Sequence, residues 1–550
     1  MSNSNEPLLS KPKSLKHKNL CLVLSFAAIL GSAAFFAAQL IYTNTTNDDS
    51  VLTPSQICHG AHDQESCQVL LSEFTTLSLS KLNRLDLLHV FLKNSVWRLE
   101  RTMNMVKETR TRSNGVRDEA VLADCEEMMD VSKDRMVNSM EQLRGGNLNF
   151  ESYSNVHTWL SSVLTNYMTC LDTTNEPKVK PQLEDLVSRA RVALAIFVSV
   201  LPARDDLKMV LFDHFPSWLT ALDRELLESD PKTIKVNANV VVAKDGSGKF
   251  KTVNEAVAAA PENSNSRYVI YVKKGVYKET IDIGKKKKNL MLVGDGKDAT
   301  IITGSLNVVD GSTTFRSATI AANGDGFMAQ DLWIQNTAGP AKHQAVALRV
   351  SADQTVINRC RIDAYQDTLY THTLRQFYRD SFITGTVDFI FGNSAVVFQN
   401  CDIVARKPGA GQKNMVTAQG REDQNQNTAI SIQRCKITAS SDLAPVKGSV
   451  KTFLGRPWKL YSRTVIMQTF IDNHIDPAGW FPWDGEFALS TLYYGEYANS
   501  GPGADTSKRV KWKGFKVIRD SKEAEQFTVA KLIQGGLWLK PTGVTYQEWL

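Results

Sequence analysis

Two aspartates 21 residues apart, Asp367 and Asp388, and two glutamines 22 residues apart, Gln344 and Gln366, stand inside apolar sequence. The blocks that hold them are Gln344-Ala345-Val346-Ala347-Leu348-Arg349, Tyr365-Gln366-Asp367-Thr368-Leu369-Tyr370 and Gly385-Thr386-Val387-Asp388-Phe389-Ile390-Phe391-Gly392. If one turn of a stacked-strand structure takes about that many residues, these groups face the same way on successive turns. Neighbouring strands lie ~4.7–4.9 Å apart, so the two carboxylates can approach to about that distance. Two carboxylates so close do not easily both ionise, and one keeps its proton. That yields one nucleophile or base and one acid, without a metal. The same residue types also have structural uses, as turn aspartates that satisfy backbone N–H groups and as a buried amide ladder.

Stacked strands are what the surrounding sequence offers. From Val240 short runs of Val, Ile, Thr and aromatics alternate with Gly and Asn. Three segments share one pattern of apolar, polar, Cys, polar, Ile: Val356–Ile362, Val397–Ile403 and Ile430–Ile437. Degenerate repeats of one strand–turn unit predict a solenoid, here an all-β right-handed parallel β-helix over 238–550. Cys360, Cys401 and Cys435 then stack inside the core; a β-sandwich would leave their common register unexplained. Ahead of this, 51–205 reads as an all-α four-helix bundle, with one apolar stripe at Leu85, Leu88, Leu92, Val96, Leu99 and Met103. Short polar connections such as Gly145-Gly146-Asn147 make neighbouring helices antiparallel. Cys58 and Cys67 can close a short loop, and Cys125 and Cys170 either staple two helices or remain reduced core residues. Residues 206–237, with Pro216 and Pro231, read as a linker.

The chain has 550 residues, 42% hydrophobic and 22% charged, which excludes a collagen-like or wholly disordered protein. Its net charge of +6 hides an asymmetry: 1–231 carries −6 and 232–550 carries +12. A basic half joined to an acidic half points to a polyanionic partner and to complementarity between the halves. Leu20–Tyr42 is a 23-residue run without a charge, preceded by Lys11, Lys13, Lys16 and Lys18. It reads as a transmembrane signal anchor with 1–19 in the cytosol, or as a cleaved signal peptide. Either puts the remainder in the secretory pathway, where disulfides form and nucleic acid is not a partner. Asn44-Thr45-Thr46 is the only glycosylation sequon. No CxxC pair or zinc-spaced Cys/His cluster occurs, so no metal is expected. The runs Lys285–Lys288 and Lys508–Lys513 read as solvated faces.

The blocks Tyr365–Tyr370, Gly385–Gly392 and Leu454–Trp458, together with Gly324–Phe327 and Asn336–Pro340, resemble the signature motifs of plant pectin methylesterases. The helical part, with cysteines at 58, 67, 125 and 170, resembles the inhibitor domain that precedes many such enzymes. The resemblance implies a pectinesterase that hydrolyses the methyl esters of homogalacturonan to pectate and methanol in the cell wall, without a cofactor. It makes Asp388 the nucleophile and Asp367 the proton donor and then acceptor. Gln344 and Gln366 become oxyanion donors, and Arg456 the partner that orients Asp388. Trp458, Tyr370 and Phe391 become sugar platforms, and Thr313 a substrate contact. The acidic bundle is expected to dock on the basic β-helix and block its cleft until a protease separates them.

The chain departs from the family pattern at two places. Ser381 stands where many relatives have a cysteine thought to pair with the equivalent of Cys401, so Cys401 is expected to be a free, buried thiol. Arg224-Glu225-Leu226-Leu227 replaces a dibasic Arg-Arg-Leu-Leu processing site, which leaves cleavage there in question. A polysaccharide lyase would need calcium-binding carboxylate clusters, and a polygalacturonase a group of aspartates; the sequence offers neither. A non-catalytic wall-binding protein would lack catalytic residues that are all present.

Overall fold

The computed structural model describes residues 54–73, 83–113, 115–144, 148–201 and 238–550. The stretches 1–19 and 20–42, the sequon, the turn 145–147 and the linker 206–237 with its Arg224–Leu227 site lie outside the described residues. No helix among the described residues is long and apolar enough to cross a membrane.

Six helices precede the strands among the described residues: α1 (Pro54–Cys58), α2 (Gln64–Ser72), α3 (Arg84–Arg112), α4 (Val116–Leu143), α5 (Phe150–Thr173) and α6 (Lys180–Ser199). Polar side chains set where they begin. Asp63 accepts from the N–H groups of Glu65 and Ser66, Asn83 from that of Asp86, and Asn149 from that of Ser152. The four long helices form the expected bundle, and α3 packs on both α4 and α6. Serving two neighbours rotates its buried stripe: Leu87, Phe91 and Val106 are buried, whereas Leu85, Val96 and Met103 are only half-buried. Disulfides Cys58–Cys67 and Cys125–Cys170 close α1 onto α2 and α4 onto α5.

From Val240 the chain winds into a parallel β-helix of three sheets. An eleven-stranded sheet runs from Val240–Val242 to Phe515–Val517, a seven-stranded one from Ile281–Ile283 to Thr452–Pro457, and an eight-stranded one from Gly275–Lys278 to Phe470–Ile471. Every pairing between these strands is parallel, and equivalent side chains stack. The isoleucine that closes each sequence repeat belongs to a ladder of Ile302, Ile334, Ile362, Ile383, Ile403, Ile437 and Ile471, all buried. This core is built wholly from residues of the β-helix.

The corner between the eleven- and eight-stranded sheets explains the cysteines. Asp331, Arg359, Asp380, Asn400, Arg434 and Gln468 each take φ between +48° and +56°, a single left-handed residue at the bend from one sheet into the next. The residue after each is buried: Leu332, Cys360, Ser381, Cys401, Cys435 and Thr469. Several cap a backbone N–H of the neighbouring coil. Cys360 N–H donates to Ser381 Oγ (3.1 Å), Cys401 N–H to Cys435 Sγ (3.4 Å) and Cys435 N–H to Thr469 Oγ1 (3.2 Å). Sulfur and hydroxyl oxygen therefore do the same job here, and Cys360, Cys401 and Cys435 are free, buried thiols.

Removing that acceptor should cost more than exchanging it. Cys435→Val leaves the Cys401 N–H buried without a partner, and denaturant unfolding should show a loss of about 1–3 kcal/mol. Cys435→Ser should stay within about 1 kcal/mol of the parent by the same measurement. Alkylation of unfolded, unreduced protein should label Cys360, Cys401 and Cys435 and spare the four bundle cysteines; an unlabelled Cys401 would contradict the ladder.

Candidate active site

The seven-stranded sheet carries the site. Arg349 is paired in register with Tyr370, Tyr370 with Phe391, Phe391 with Ala418, and Ala418 with Arg456. Side chains alternate along a strand, so these residues form one outward row while Leu369 and Ile390 point into the core. The rings of Tyr370 and Phe391 stack at 4.2 Å and 14°, and Trp458 meets Phe391 edge-on at 6.0 Å. Trp458 lies close over Gly420, where an added Cβ would come within 2.7 Å of the indole.

Asp367 and Asp388 enter this row from the preceding corner. Strands Leu369–Thr371 and Ile390–Gly392 are offset by the 21 residues that also separate the aspartates, and Asp367 N–H donates to Val387 O at 3.0 Å. Both aspartates hold left-handed backbone, at φ +62° and +49°, a conformation that Asp tolerates better than most residues. Thr368 pins the loop by donating to the carbonyls of Tyr365 (3.1 Å) and Thr384 (3.0 Å). The half-buried Gln344 and Gln366 sit on adjacent coils, where Ala345 N–H donates to Gln366 O at 3.3 Å.

The two carboxyls differ in what surrounds them. Arg456 grips Asp388 with two parallel hydrogen bonds, Nε to Oδ1 at 2.8 Å and Nη2 to Oδ2 at 2.6 Å. Burial pushes the Asp388 carboxyl up from its ordinary range, and the Arg456 bonds and charge pull it back. Asp367 is pushed well above that range, first by burial and then by the charge of Asp388, with only the Arg456 charge opposing. Environment thus separates the two groups into a more acidic and a less acidic member.

Sequence reasoning missed three participants. Trp483 lies under the Arg456 guanidinium at 4.2 Å and is 37% exposed; the aromatic run Trp480-Phe481-Pro482-Trp483 was its signal. His372 is buried between Ser351 Oγ (Nδ1, 2.9 Å) and Thr169 Oγ1 of α5 (Nε2, 3.0 Å). Asp124 of α4 accepts from the Thr313 hydroxyl at 2.6 Å, so the side chain expected to meet substrate meets the bundle instead.

That contact is part of a large interface. Tyr370, Phe391, Phe315 and Ala418 share one apolar cluster with the bundle core. Around it Lys285 pairs with Asp130 (2.7 Å) and Asp134 (2.6 Å), and Lys459 with Asp172 (2.7 Å). Arg135 of α4 reverses the polarity, gripping Asp325 at 2.8 and 2.6 Å. The basic runs are therefore not merely solvated faces. Lys285 binds the bundle, Lys287 donates to the carbonyls of Ala258 and Ala260, and buried Arg509 pairs with Glu496.

Comparison with known proteins agrees with this geometry. Residues 239–536 match the Pectinesterase family, and residues 53–198 match Plant invertase/pectin methylesterase inhibitor. A protein of Arabidopsis thaliana, pectinesterase/pectinesterase inhibitor 18, is 89% identical over 557 residues, covering all of both chains. A pectinesterase/pectinesterase inhibitor of Ficus pumila var. awkeotsang is 52% identical over 552 residues, covering 98% of each. The solved pectin methylesterase from carrot is 65% identical, with a TM-score of 0.57 over 57% of this chain and 98% of its own.

If Arg456 is what holds Asp388 down, Arg456→Met should raise the Asp388 pKa by about 1–3 units. A carboxyl-carbon NMR titration against the parent measures this; an unchanged midpoint would show that Arg456 is only a structural partner.

Proposed function

The chain belongs to the pectinesterase family and is a carboxylic ester hydrolase acting on pectin, and from that premise we propose how its residues carry the reaction. Asp388, ionised and aimed by Arg456, attacks the carbonyl carbon of a galacturonate methyl ester. The amides of Gln344 and Gln366 donate to the oxyanion that forms, each worth ~2.7–4 kcal/mol in comparable sites. Asp367 gives its proton to the departing methoxy oxygen, and methanol leaves. The resulting acyl-enzyme is an anhydride between Asp388 and the sugar carboxyl. Asp367, now a carboxylate, takes a proton from water; the hydroxide adds to the sugar carbonyl and Asp388 departs, leaving a galacturonate. Tyr370, Phe391 and Trp458 present faces to the sugar rings, Thr313 contacts the chain, and no step calls for a cofactor. A wall polymer as substrate makes the cell wall the place of work.

The observation that carries this reading is the forked Arg456–Asp388 bond beside a second buried carboxyl. Asp388→Asn should lower methanol release from methylated pectin by at least ~10³-fold while circular dichroism stays unchanged. Appreciable residual turnover would count against Asp388 as nucleophile.

We further propose that the chain divides into an inhibitor-like pro-region, 51–205, and a catalytic part, 238–550, and that the first holds the second inactive. Tyr370 and Phe391 are buried against the bundle, and Thr313 is occupied by Asp124, so a polymer and the helices compete for one surface. The β-helix core needs nothing from the bundle, and the carrot chain corresponds to that part alone over 98% of its length. Residues 238–550 should therefore fold by themselves and release methanol at least ~10-fold faster than the full chain. Equal rates would remove the inhibitory role.

A further inference from the structure

Asp367 is aimed by its backbone alone. Among the described residues no hydrogen bond reaches its carboxyl; burial and the charges of Asp388 and Arg456 are what act on it. Where that carboxyl points therefore depends on how the left-handed residue at 367, φ +62°, is held. On its C-terminal side Thr368 fastens the chain to the carbonyls of Tyr365 and Thr384. On its N-terminal side the fastening is Arg406.

Arg406 follows the strand Asp402–Ala405, and its N–H donates to Gly385 O at 2.8 Å. Asp363, Thr384 and Val404 stand in register on three successive rungs, so Arg406 belongs to the second coil beyond Tyr365. Its guanidinium reaches back across the coil between them. Nη1 donates to Asp363 Oδ1 (2.7 Å) and Ala364 O (3.1 Å), and Nη2 to Tyr365 Oη (2.9 Å). The same group lies 4.0 Å from the centre of the Tyr365 ring. Asp363 is shared with Arg361 at 3.0 Å, which is itself stacked on Trp333 at 3.9 Å. The coil in between, which carries Asp388, has no slack at this corner. A Cβ on Gly385 would come within 2.8 Å of Tyr365 O and 2.3 Å of Phe389 Cβ.

We propose that Arg406 is a positioning residue for the ester hydrolysis: by clamping Asp363, Ala364 and Tyr365 it fixes the Gln366-Asp367 dipeptide against the coil of Asp388. This rests on the reading of Asp367 as proton donor and acceptor, and adds the side chain that aims it. The clamp works through geometry, because Asp363 balances the arginine and the charges felt at Asp367 are those of Asp388 and Arg456. Loosening it lets Asp367 move toward water and away from Asp388, and both changes lower its pKa. A displaced acid also delivers its proton poorly.

The test follows the Asp367 midpoint by carboxyl-carbon NMR in the full chain, with methanol release from methylated pectin measured beside it. In the parent the midpoint should lie well above the ordinary carboxyl range. Arg406→Gln should lower it by at least about one unit and reduce kcat about tenfold, with KM within about twofold. Arg406→Lys keeps the charge and the Asp363 pair but loses the fork and the stack. It should recover the parent's thermal melt but not its midpoint. Tyr365→Leu removes the other half of the contact and should lower the midpoint alike, and the double variant should fall no further than either single one. A parent midpoint in the ordinary carboxyl range overturns the reading of Asp367 itself. A raised midpoint that stays unchanged in Arg406→Gln and Tyr365→Leu overturns the clamp alone. Full recovery of the midpoint by Arg406→Lys, or additive effects in the double variant, does the same.

Discussion

Stacking in fixed register is the constraint from which the rest of this molecule follows. Strands Leu369–Thr371 and Ile390–Gly392 are offset by 21 residues, and that number, enforced by the Ile362–Ile383–Ile403 ladder beneath, brings Asp367 beside Asp388. A change of one residue in either coil would turn an aspartate inward or move it off the row. The same register delivers Arg456 from two strands away and lines Tyr370, Phe391 and Trp458 into a surface. The arrangement of this site is a by-product of packing that extends along the whole β-helix.

Electrostatics then distinguishes two identical side chains. Both carboxyls are buried, which by itself would keep both protonated. Arg456 reaches only one of them with hydrogen bonds, and the charge it sustains on Asp388 is what pushes Asp367 higher still. The bundle works in the same currency. Asp124, pushed up to about 6 by burial and held down mainly by Arg316, sits beside Thr313, while Lys285 and Lys459 grip Asp130, Asp134 and Asp172. Asp124 is buried and depends on its pairing, whereas the half-exposed Asp130 and Asp134 contribute little each.

Much of the architecture was legible because it is periodic. The repeated Cys-polar-Ile register marked the corner, although the reason for cysteine there, a heteroatom that caps the neighbouring coil's N–H, needed coordinates. The spacing of Asp367 and Asp388 announced the pair, since one coil near the site has that length. Trp483 carried a signal in its aromatic run but nothing in sequence tied it to Arg456, and His372 was not legible, being defined by Ser351 and by Thr169 on a helix of the other half. The stripe on α3 was rotated because periodicity gives a face but not how many neighbours share it. The lysine run at 285 looked solvated because its acidic partners lie over 150 residues away.

The three corners of the β-helix are not equivalent. Between the eleven- and eight-stranded sheets a single left-handed residue makes the turn in six successive coils, from Asp331 to Gln468, whereas an earlier coil takes five residues, 295–299, at the same corner. The other two corners flank the seven-stranded sheet and vary freely: 337–347 against 386–389 on one side, and 420–428 against 393–394 on the other. From Asp331 to Gln468, length variation between coils is thereby confined to the rims of the seven-stranded sheet, beside Asp367 and Asp388. The loops at those rims can differ in length without disturbing the rungs that place the two aspartates side by side.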